Sequence, residues 1–241
     1  MDIKNQKIAL LVDGDNAQSK MMDLILEEAS KYGKVTIRRV YGDWTIQHMN
    51  HWKSLLNEMA FNPIQKFSYT TGKNSTDSAL IIDAMDILHA KLVDGFCIVS
   101  SDSDYTGLAK RIREAGIFVM GIGEQKTPNA FVKSCEIFTY VENLEPKTEV
   151  PEKQQTQKKK KEKPTTSVNS KLIDKAYDMS INESNEAYIS TLGINLRKLD
   201  PSFDVRTYGC KTLTQFFSKL PGFVVVDNVV NGLNNPLIKR K

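Results

Sequence analysis

The sequence predicts an α/β domain built on a parallel β-sheet with helices on both faces, followed by a second, smaller domain. Two observations predict the sheet: its apolar segments are short and continuous rather than alternating, and segments with helical periodicity separate them. A third observation predicts the boundary between the two domains: a polar stretch rich in Pro, Gln and Lys follows residue 144. The predicted class is therefore a Rossmann-like α/β domain linked to a small helical domain.

The predicted elements of the first domain alternate between strand and helix. The strands, each apolar and rich in β-branched residues, are residues 8–12, 35–42, 95–100, 117–123 and 136–141. Apolar residues at helical spacing predict helices after the first strand, before the third strand and after it. Open sheets of this kind bind ligands where the carboxyl ends of strands meet a reversal in strand order.

Acidic residues follow two of these strands at the points where they end. Asp13 and Asp15 follow the first strand, and Asp102 and Asp104 follow the third. Because the carboxyl ends of parallel strands share one edge of a sheet, we expect both pairs to open into the same crevice. Carboxylates so close together repel each other unless water, a proton or a cation lies between them. Two such pairs on separate strands predict a cation site better than they predict two solvated turns.

Asp77 is the third predicted contributor to this crevice. It lies in the first turn of the helix before the third strand, where the helix dipole favours a carboxylate in any case. It shares a helix face with Ala84, so we expect it at the end of a stripe that packs against the sheet. Asp83 lies about 240° around the helix from Asp77, and we expect Asp83 and Asp86 to face solvent.

Together these motifs resemble the NYN domain, a group that includes LabA-like proteins and belongs to the PIN-like nucleases. The resemblance spans nearly all of residues 6–144. It rests on a strand ending in D-x-x-N, on K-x-x-x-D opening a helix, and on SSDSDY after a strand. It implies a PIN-like fold and a metal-dependent ribonuclease with a pocket of four acids. Position by position, the match falls on Asp13, Asn16, Asp77, Asp102 and Asp104.

These residue types suit the hydrolysis of a phosphodiester bond. This hydrolysis requires neutralised charge around the phosphorus and an activated water, and Mg²⁺ or Mn²⁺ held by the four aspartates supplies both. Arg38 and Arg39 are neighbours on a strand and face opposite sides, so we expect one of them, Arg38, to guide the substrate. The other predicted substrate contacts are Asn16, Lys73, Lys126 and Thr127. Lys126 and Thr127 lie in the predicted loop over residues 121–131.

The second domain, residues 169–241, is predicted to be a small helical unit with a wing. Two phenylalanines, Phe216 and Phe217, lie at helical spacing with two leucines, which predicts a core stripe rather than exposed stacking platforms. Residues 199–227 resemble the LOTUS domain, also called OST-HTH, a winged-helix module associated with RNA binding. The predicted RNA contacts near the start of its last helix are Arg206, Tyr208 and Lys211.

The positive charge of the chain is concentrated behind the first domain. The net charge is +4 for all 241 residues, −2 for residues 1–144, +3 for residues 145–168 and +3 for residues 169–241. Residues 145–168 have almost no large apolar side chains, so we interpret them as a flexible linker. This distribution favours an anionic polymer as the partner of the rear half, which with the resemblance predicts RNA.

Composition and spacing argue against several other classes. No apolar run is long enough to cross a membrane, the first residues lack a signal-peptide pattern, and the three cysteines are scattered singly. We therefore expect a cytoplasmic protein with no membrane partner. Zinc-ligand spacing is missing, and the Gly121–Gly123 turn lacks the third glycine of a dinucleotide site. The sequence leaves open whether the protein forms a homodimer or binds a protein partner through its second domain.

Two other functions remain open from the sequence. One is a haloacid-dehalogenase-type phosphatase, since the D-x-D motif of such enzymes occurs at Asp13 and Asp15. Against it, Ala17 stands where that motif expects Thr or Val, and the helix of Asp77 has no role there. The other is a non-catalytic RNA-binding or adaptor protein whose acids hold a structural ion.

Overall fold

The computed structural model describes residues 6–67, 75–145, 168–230 and 233–241. The chain divides into two units, Met1–Leu144 and Glu145–Lys241. Each unit has apolar core clusters of its own. Lys73 and almost all of the predicted linker lie outside the described residues, so both assignments stay predictions.

A six-stranded parallel sheet with helices on both faces forms the first unit and confirms the predicted fold class. Its strands are β1 (Lys7–Asp13), β2 (Lys34–Gly42), β3 (Asn62–Gln65), β4 (Gly95–Val99), β5 (Phe118–Gly123) and β6 (Ile137–Tyr140). Its helices are α1 (Met22–Ser30), α2 (Trp52–Glu58), α3 (Ser75–His89), α4 (Thr106–Glu114) and α5 (Asn129–Ser134). Short 3₁₀ turns occupy Ser19–Met21, Gln47–His51, Ser103–Tyr105 and Val141–Asn143.

Three of these elements were not predicted from the sequence: α2, β3 and α5. They are 7, 4 and 6 residues long, which leaves little room for a periodic apolar pattern. β3 also contains Pro63, which a sheet accepts at its edge, and β3 is an edge strand. The predicted strand over residues 117–123 matches β5, and the loop that follows it ends earlier than expected because α5 begins at Asn129.

The strand order is β3-β2-β1-β4-β5-β6, with every neighbouring pair parallel. The order reverses between β1 and β4, which pair directly with each other. In open α/β sheets this reversal opens a crevice at the carboxyl ends of the two strands. β1 and β4 are the two strands that the acidic pairs follow.

Two apolar clusters cover opposite faces of this sheet, and the alternation along β1 places its side chains in both. Leu10 and Val12 belong to the cluster that contains residues of α1 and α2, whereas Ala9 and Leu11 belong to the cluster with residues of α3, α4 and α5. Asp13 continues the alternation of Ala9 and Leu11. Its side chain is therefore directed to the face that carries α3.

Asp83 does not face solvent, contrary to the prediction. Its carboxylate pairs with the guanidinium of Arg39 and accepts a hydrogen bond from the hydroxyl of Tyr41. Burial, followed by the bond to Asp83, raises the pKa of the Tyr41 phenol, which keeps it a donor. The prediction was wrong because it considered only the faces of the helix and not the polar side chains that β2 directs towards α3. Asp86 is exposed, as predicted.

Helices and short antiparallel strands form the second unit. Its helices are α6 (Ser170–Asp178), α7 (Ile189–Leu199) and α8 (Leu213–Lys219), with a 3₁₀ turn over Val205–Tyr208. Its strands are β7 (Glu186–Tyr188), β8 (Phe223–Val226), β9 (Val229–Val230), β10 (Leu233–Asn234) and β11 (Leu237–Arg240). β7, β11 and β8 form a three-stranded antiparallel sheet, and β9 pairs with β10.

The core of the second unit contains Phe216 and Phe217, both fully or almost fully buried, which confirms that they are core residues. Their helix begins after Thr212, whose hydroxyl accepts the N–H of Gln215 as an N-cap. In the part of the chain that the structure describes, no helix combines the length and apolar character that a membrane crossing requires.

Candidate metal centre

The turn after β1 buries Asp13 at the bottom of the crevice. Asp13 is fully buried; its Oδ1 accepts the N–H of Asp15 at 3.2 Å, and its Oδ2 accepts the side-chain amide of Asn16 at 2.7 Å. The chain passes so close to β2 that a Cβ atom on Gly14 would lie 2.7 Å from the carbonyl oxygen of Tyr41. Glycine at this position therefore allows the turn that closes over Asp13.

The turn after β4 supplies the second set of acids and is tied to the first. Ser100 is buried; its hydroxyl donates to Asp13 Oδ2 at 2.9 Å and accepts the N–H of Asp102 at 3.1 Å. Asp102 in turn accepts the N–H of Asp104 at 2.9 Å and caps the turn Ser103–Tyr105. Asp102 can therefore cap this turn and still lie in the crevice.

Sequence reasoning assigned no role to Ser100, although the serine lies within the quoted SSDSDY motif. Val12 pairs with Val99 in the register of β1 and β4, so Asp13 and Ser100 are the next residues along the two strands. A polar residue directly after a continuous apolar strand, level with a buried acid, is the signal that would have identified it.

Asp77 joins Asp102 and Asp104 in a group of three acids. One carboxylate oxygen from each residue lies within 4.8 Å of those of the other two. Asp77 and Asp102 are partly buried, and Asp104 is exposed. From the sequence we expect Asp13, Asp77 and Asp102 to converge, with Asp104 at the edge of the pocket. In the structure Asp104 belongs to the group, and Asp13 lies in the buried layer beside Asp77, close enough for their charges to interact.

Burial and mutual repulsion shape the electrostatics of these acids. Burial raises the pKa of Asp13, although two side-chain hydrogen bonds to its carboxylate oppose the shift. Burial likewise raises the pKa of Asp77, and neighbouring acids, among them Asp15, raise it further. A proton or a cation relieves repulsion of this kind. Asp15 is thus near the crevice, as expected for both acidic pairs, although it is not one of the four predicted ligands.

The group of three acids fits a hard divalent cation. Mg²⁺ is usually held by one or two carboxylates and keeps several waters, and Mn²⁺ also favours carboxylate and water ligands. Since Asp104 is exposed, the group is open to solvent, where waters and a substrate oxygen would need access. Asp77, Asp102 and Asp104 are the residues that would hold such an ion.

Like Asn16, which donates to Asp13, three further predicted substrate contacts of the first unit bond to the protein itself. Arg38 Nη1 donates to the carbonyl oxygen of Met59 at 3.0 Å. Lys126 is exposed, and its ammonium pairs with Glu124 at 2.7 Å. Thr127 is buried, and its hydroxyl donates to the carbonyl oxygen of Glu124 at 2.6 Å. Their roles as substrate contacts stay predictions.

The predicted contacts of the second unit also differ in their surroundings. The guanidinium of Arg206 pairs with Asp204 at 2.6 Å. The ring of Tyr208 packs against Phe216 with centroids 5.1 Å apart, and burial raises the pKa of its phenol. Lys211 is exposed. Of the three, Lys211 is therefore the most accessible to a partner.

Replacement of Asp77 by asparagine is expected to stabilise the metal-free protein at neutral pH, with a gain that vanishes in acid. A carboxyl whose pKa is raised by folding carries no penalty below its unfolded pKa, and it destabilises the fold increasingly as the pH rises through its folded pKa. Urea unfolding of both proteins in EDTA, from about pH 4 to pH 7, measures the difference. The control is Asp86→Asn. A gain in the free energy of unfolding that grew towards acid would contradict the raised pKa of Asp77.

Comparison with known proteins gives two family matches along the chain. A model of the NYN domain matches residues 7–143, and a model of the OST-HTH/LOTUS domain matches residues 158–234. Their identity and order confirm the two resemblances drawn from the sequence.

Two individual proteins are also similar to this chain. An uncharacterized protein of Methanocaldococcus jannaschii is 28% identical over 162 residues, which cover 65% of this chain and 62% of that protein. This chain therefore spans less than two thirds of that relative's length. The crystal structure of a protein of unknown function from Vibrio parahaemolyticus is 21% identical, with a TM-score of 0.48, and covers 58% of this chain and 94% of that chain.

Proposed function

Because the chain belongs to the NYN domain family, we propose that it is a metal-dependent ribonuclease whose OST-HTH/LOTUS domain binds RNA. The observation that carries the proposal is the group formed by Asp77, Asp102 and Asp104. These acids come from a helix and from the turn after β4, and they meet where the strand order reverses. Hydrolysis of a phosphodiester by a bound divalent cation requires such oxygen ligands and an open side.

Each acid has a distinct part in the proposed site. A bound Mg²⁺ or Mn²⁺ would neutralise charge on the scissile phosphate and activate a water. Asp77 and Asp102 would hold the ion from the partly buried side, and exposed Asp104 from the side where RNA approaches. Asp13 lies buried next to this group, and its bond from Ser100 joins the ends of β1 and β4.

The burial of Asp13 argues against the phosphatase alternative. A nucleophilic aspartate must bring a carboxylate oxygen to the phosphorus atom of the substrate. Asp13 is fully buried, and its two oxygens accept hydrogen bonds from Asp15, Asn16 and Ser100. A nucleophilic role would require the loss of these bonds and an opening of the turn.

We also propose a cytoplasmic location. Cys97, Cys135 and Cys210 are buried free thiols, and burial raises the pKa of Cys135 to about 12. Single, unpaired cysteines suit a reducing compartment.

Incubation of the full-length protein with end-labelled single-stranded RNA tests the proposed activity. We expect cleavage in Mn²⁺ or Mg²⁺, no cleavage in EDTA, and recovery when metal is added in excess. An Asp102→Asn preparation, purified in the same way, controls for contaminating nucleases. RNA binding without cleavage in any divalent metal would overturn the nuclease and favour the non-catalytic RNA-binding alternative.

A further inference from the structure

Tyr105 connects the two elements that supply the three acids. It ends the turn that contains Asp104 and that Asp102 caps, and its hydroxyl donates to Asp77 Oδ1 on α3 at 2.6 Å. The residue is completely buried, and its ring packs against Phe131 with centroids 6.2 Å apart. One hydrogen bond therefore joins the acid of the helix to the two acids of the turn.

The neutrality of the Tyr105 hydroxyl suits a cation site. Lysine or arginine in this place would neutralise Asp77 and repel an incoming cation, whereas a phenol leaves the negative charge on the carboxylate. A hydrogen bond to Oδ1 also leaves Oδ2 available as a ligand.

The apolar surroundings of Tyr105 hold the donor in place. Its ring belongs to the core cluster that also contains Leu80 of α3 and Leu108 of α4. Packing on this scale restricts the ring, so the hydroxyl cannot follow Asp77 if the carboxylate turns away. Groups that orient the ligands of a metal in this way typically contribute 10–100-fold to its affinity.

We propose that Tyr105 is a positioning residue of the metal centre, which holds Asp77 at the distance from Asp102 and Asp104 at which one divalent cation binds all three. This inference rests on the metal-binding part of the proposed function and does not depend on RNA cleavage. Because Tyr105 acts through Asp77, its loss should alter metal affinity far more than the rate at saturating metal.

Tyr105→Phe removes the hydroxyl and keeps the ring. The second unit offers a matched control, Tyr177→Phe, because Tyr177 is also buried and its hydroxyl donates to the carbonyl oxygen of Asn185 at the same distance of 2.6 Å. Tyr177→Phe also removes the acceptor of the N–H of Arg240 at 3.3 Å, so the control loses at least as much hydrogen bonding in its core, but only Tyr105→Phe loses a bond to the metal centre. Mn²⁺ binding to the full-length chain is measured from the electron paramagnetic resonance signal of free Mn²⁺, and folding is measured by urea unfolding in EDTA.

We expect Tyr105→Phe to raise the Mn²⁺ dissociation constant by about 10-fold or more and Tyr177→Phe to leave it unchanged. In an Asp77→Asn background, Tyr105→Phe should cause little further loss, since the hydroxyl acts through that carboxylate. Wild-type Mn²⁺ affinity in a folded Tyr105→Phe protein, or the same loss in both backgrounds, would overturn the positioning role.

The same binding measurement separates this inference from the nuclease activity. If the wild type binds Mn²⁺ but cleaves no RNA, the proposed ribonuclease is wrong, and the effect of Tyr105→Phe on Mn²⁺ affinity still decides its role. If the wild type does not bind Mn²⁺, the metal centre and the role of Tyr105 are both overturned.

Discussion

Replacement of Asp102 by asparagine is expected to lower divalent-dependent RNA cleavage by about 100-fold or more, as the loss of a strong electrostatic stabiliser does. Asparagine keeps the shape of the side chain, and its carbonyl oxygen can still accept the N–H of Asp104 that caps the turn. The substitution therefore removes a charge from the group of three acids and little else. The metal-free fold should be unchanged or slightly more stable, because Asp102 repels Asp77.

Initial cleavage rates over a range of Mn²⁺ concentrations measure this effect. Asp86→Asn is the matched control, since Asp86 is an exposed acid on α3 about 13 Å along the helix axis from Asp77. It removes the same charge from the same unit without touching the acidic group. Wild-type rates in Asp102→Asn at every metal concentration would exclude Asp102 from the mechanism. An equal loss in Asp86→Asn would indicate a general effect of net charge.

Removal of the second domain is expected to raise the KM for RNA by about 100-fold and to leave kcat at saturating RNA unchanged. Residues 1–144 contain the acids and two apolar core clusters but carry a net charge of −2. The remaining residues carry +3 in 145–168 and +3 in 169–241. Each phosphate that Lys or Arg neutralises releases counterions, and a tethered domain keeps bound RNA at a high local concentration near the acids.

Steady-state cleavage at low and moderate salt compares the full chain with residues 1–144. A third protein, residues 1–168, retains the lysines of the predicted linker and separates their effect from that of the domain. The KM of the full chain should rise with salt more steeply than that of residues 1–144. Equal KM values and equal salt slopes would mean that the second domain serves a protein partner or a distant RNA element.

The sequence by itself determined the class of the fold and the edge of the sheet at which the acids lie. Central parallel strands are buried on both faces, so β1, β4 and β5 are continuous apolar runs that the sequence displays directly. Acids immediately after two such strands fall at their carboxyl ends in any parallel sheet. The edge strand β3 and the short helices α2 and α5 escaped prediction because each carries too few residues for a pattern.

Only the tertiary structure decided which acids come together. Asp13 was predicted as a ligand of the metal, which stays a prediction; the alternation of β1 directs its side chain into the buried layer, where the hydroxyl of Ser100 donates to it. Asp83 was expected in solvent, but polar side chains of β2 bind it. Asp77 reaches the acids of the turn through the hydroxyl of Tyr105, 28 positions along the chain. Periodicity reports the environment of one element at a time, whereas these contacts depend on how a helix packs on a sheet and on strand register, which no single segment encodes.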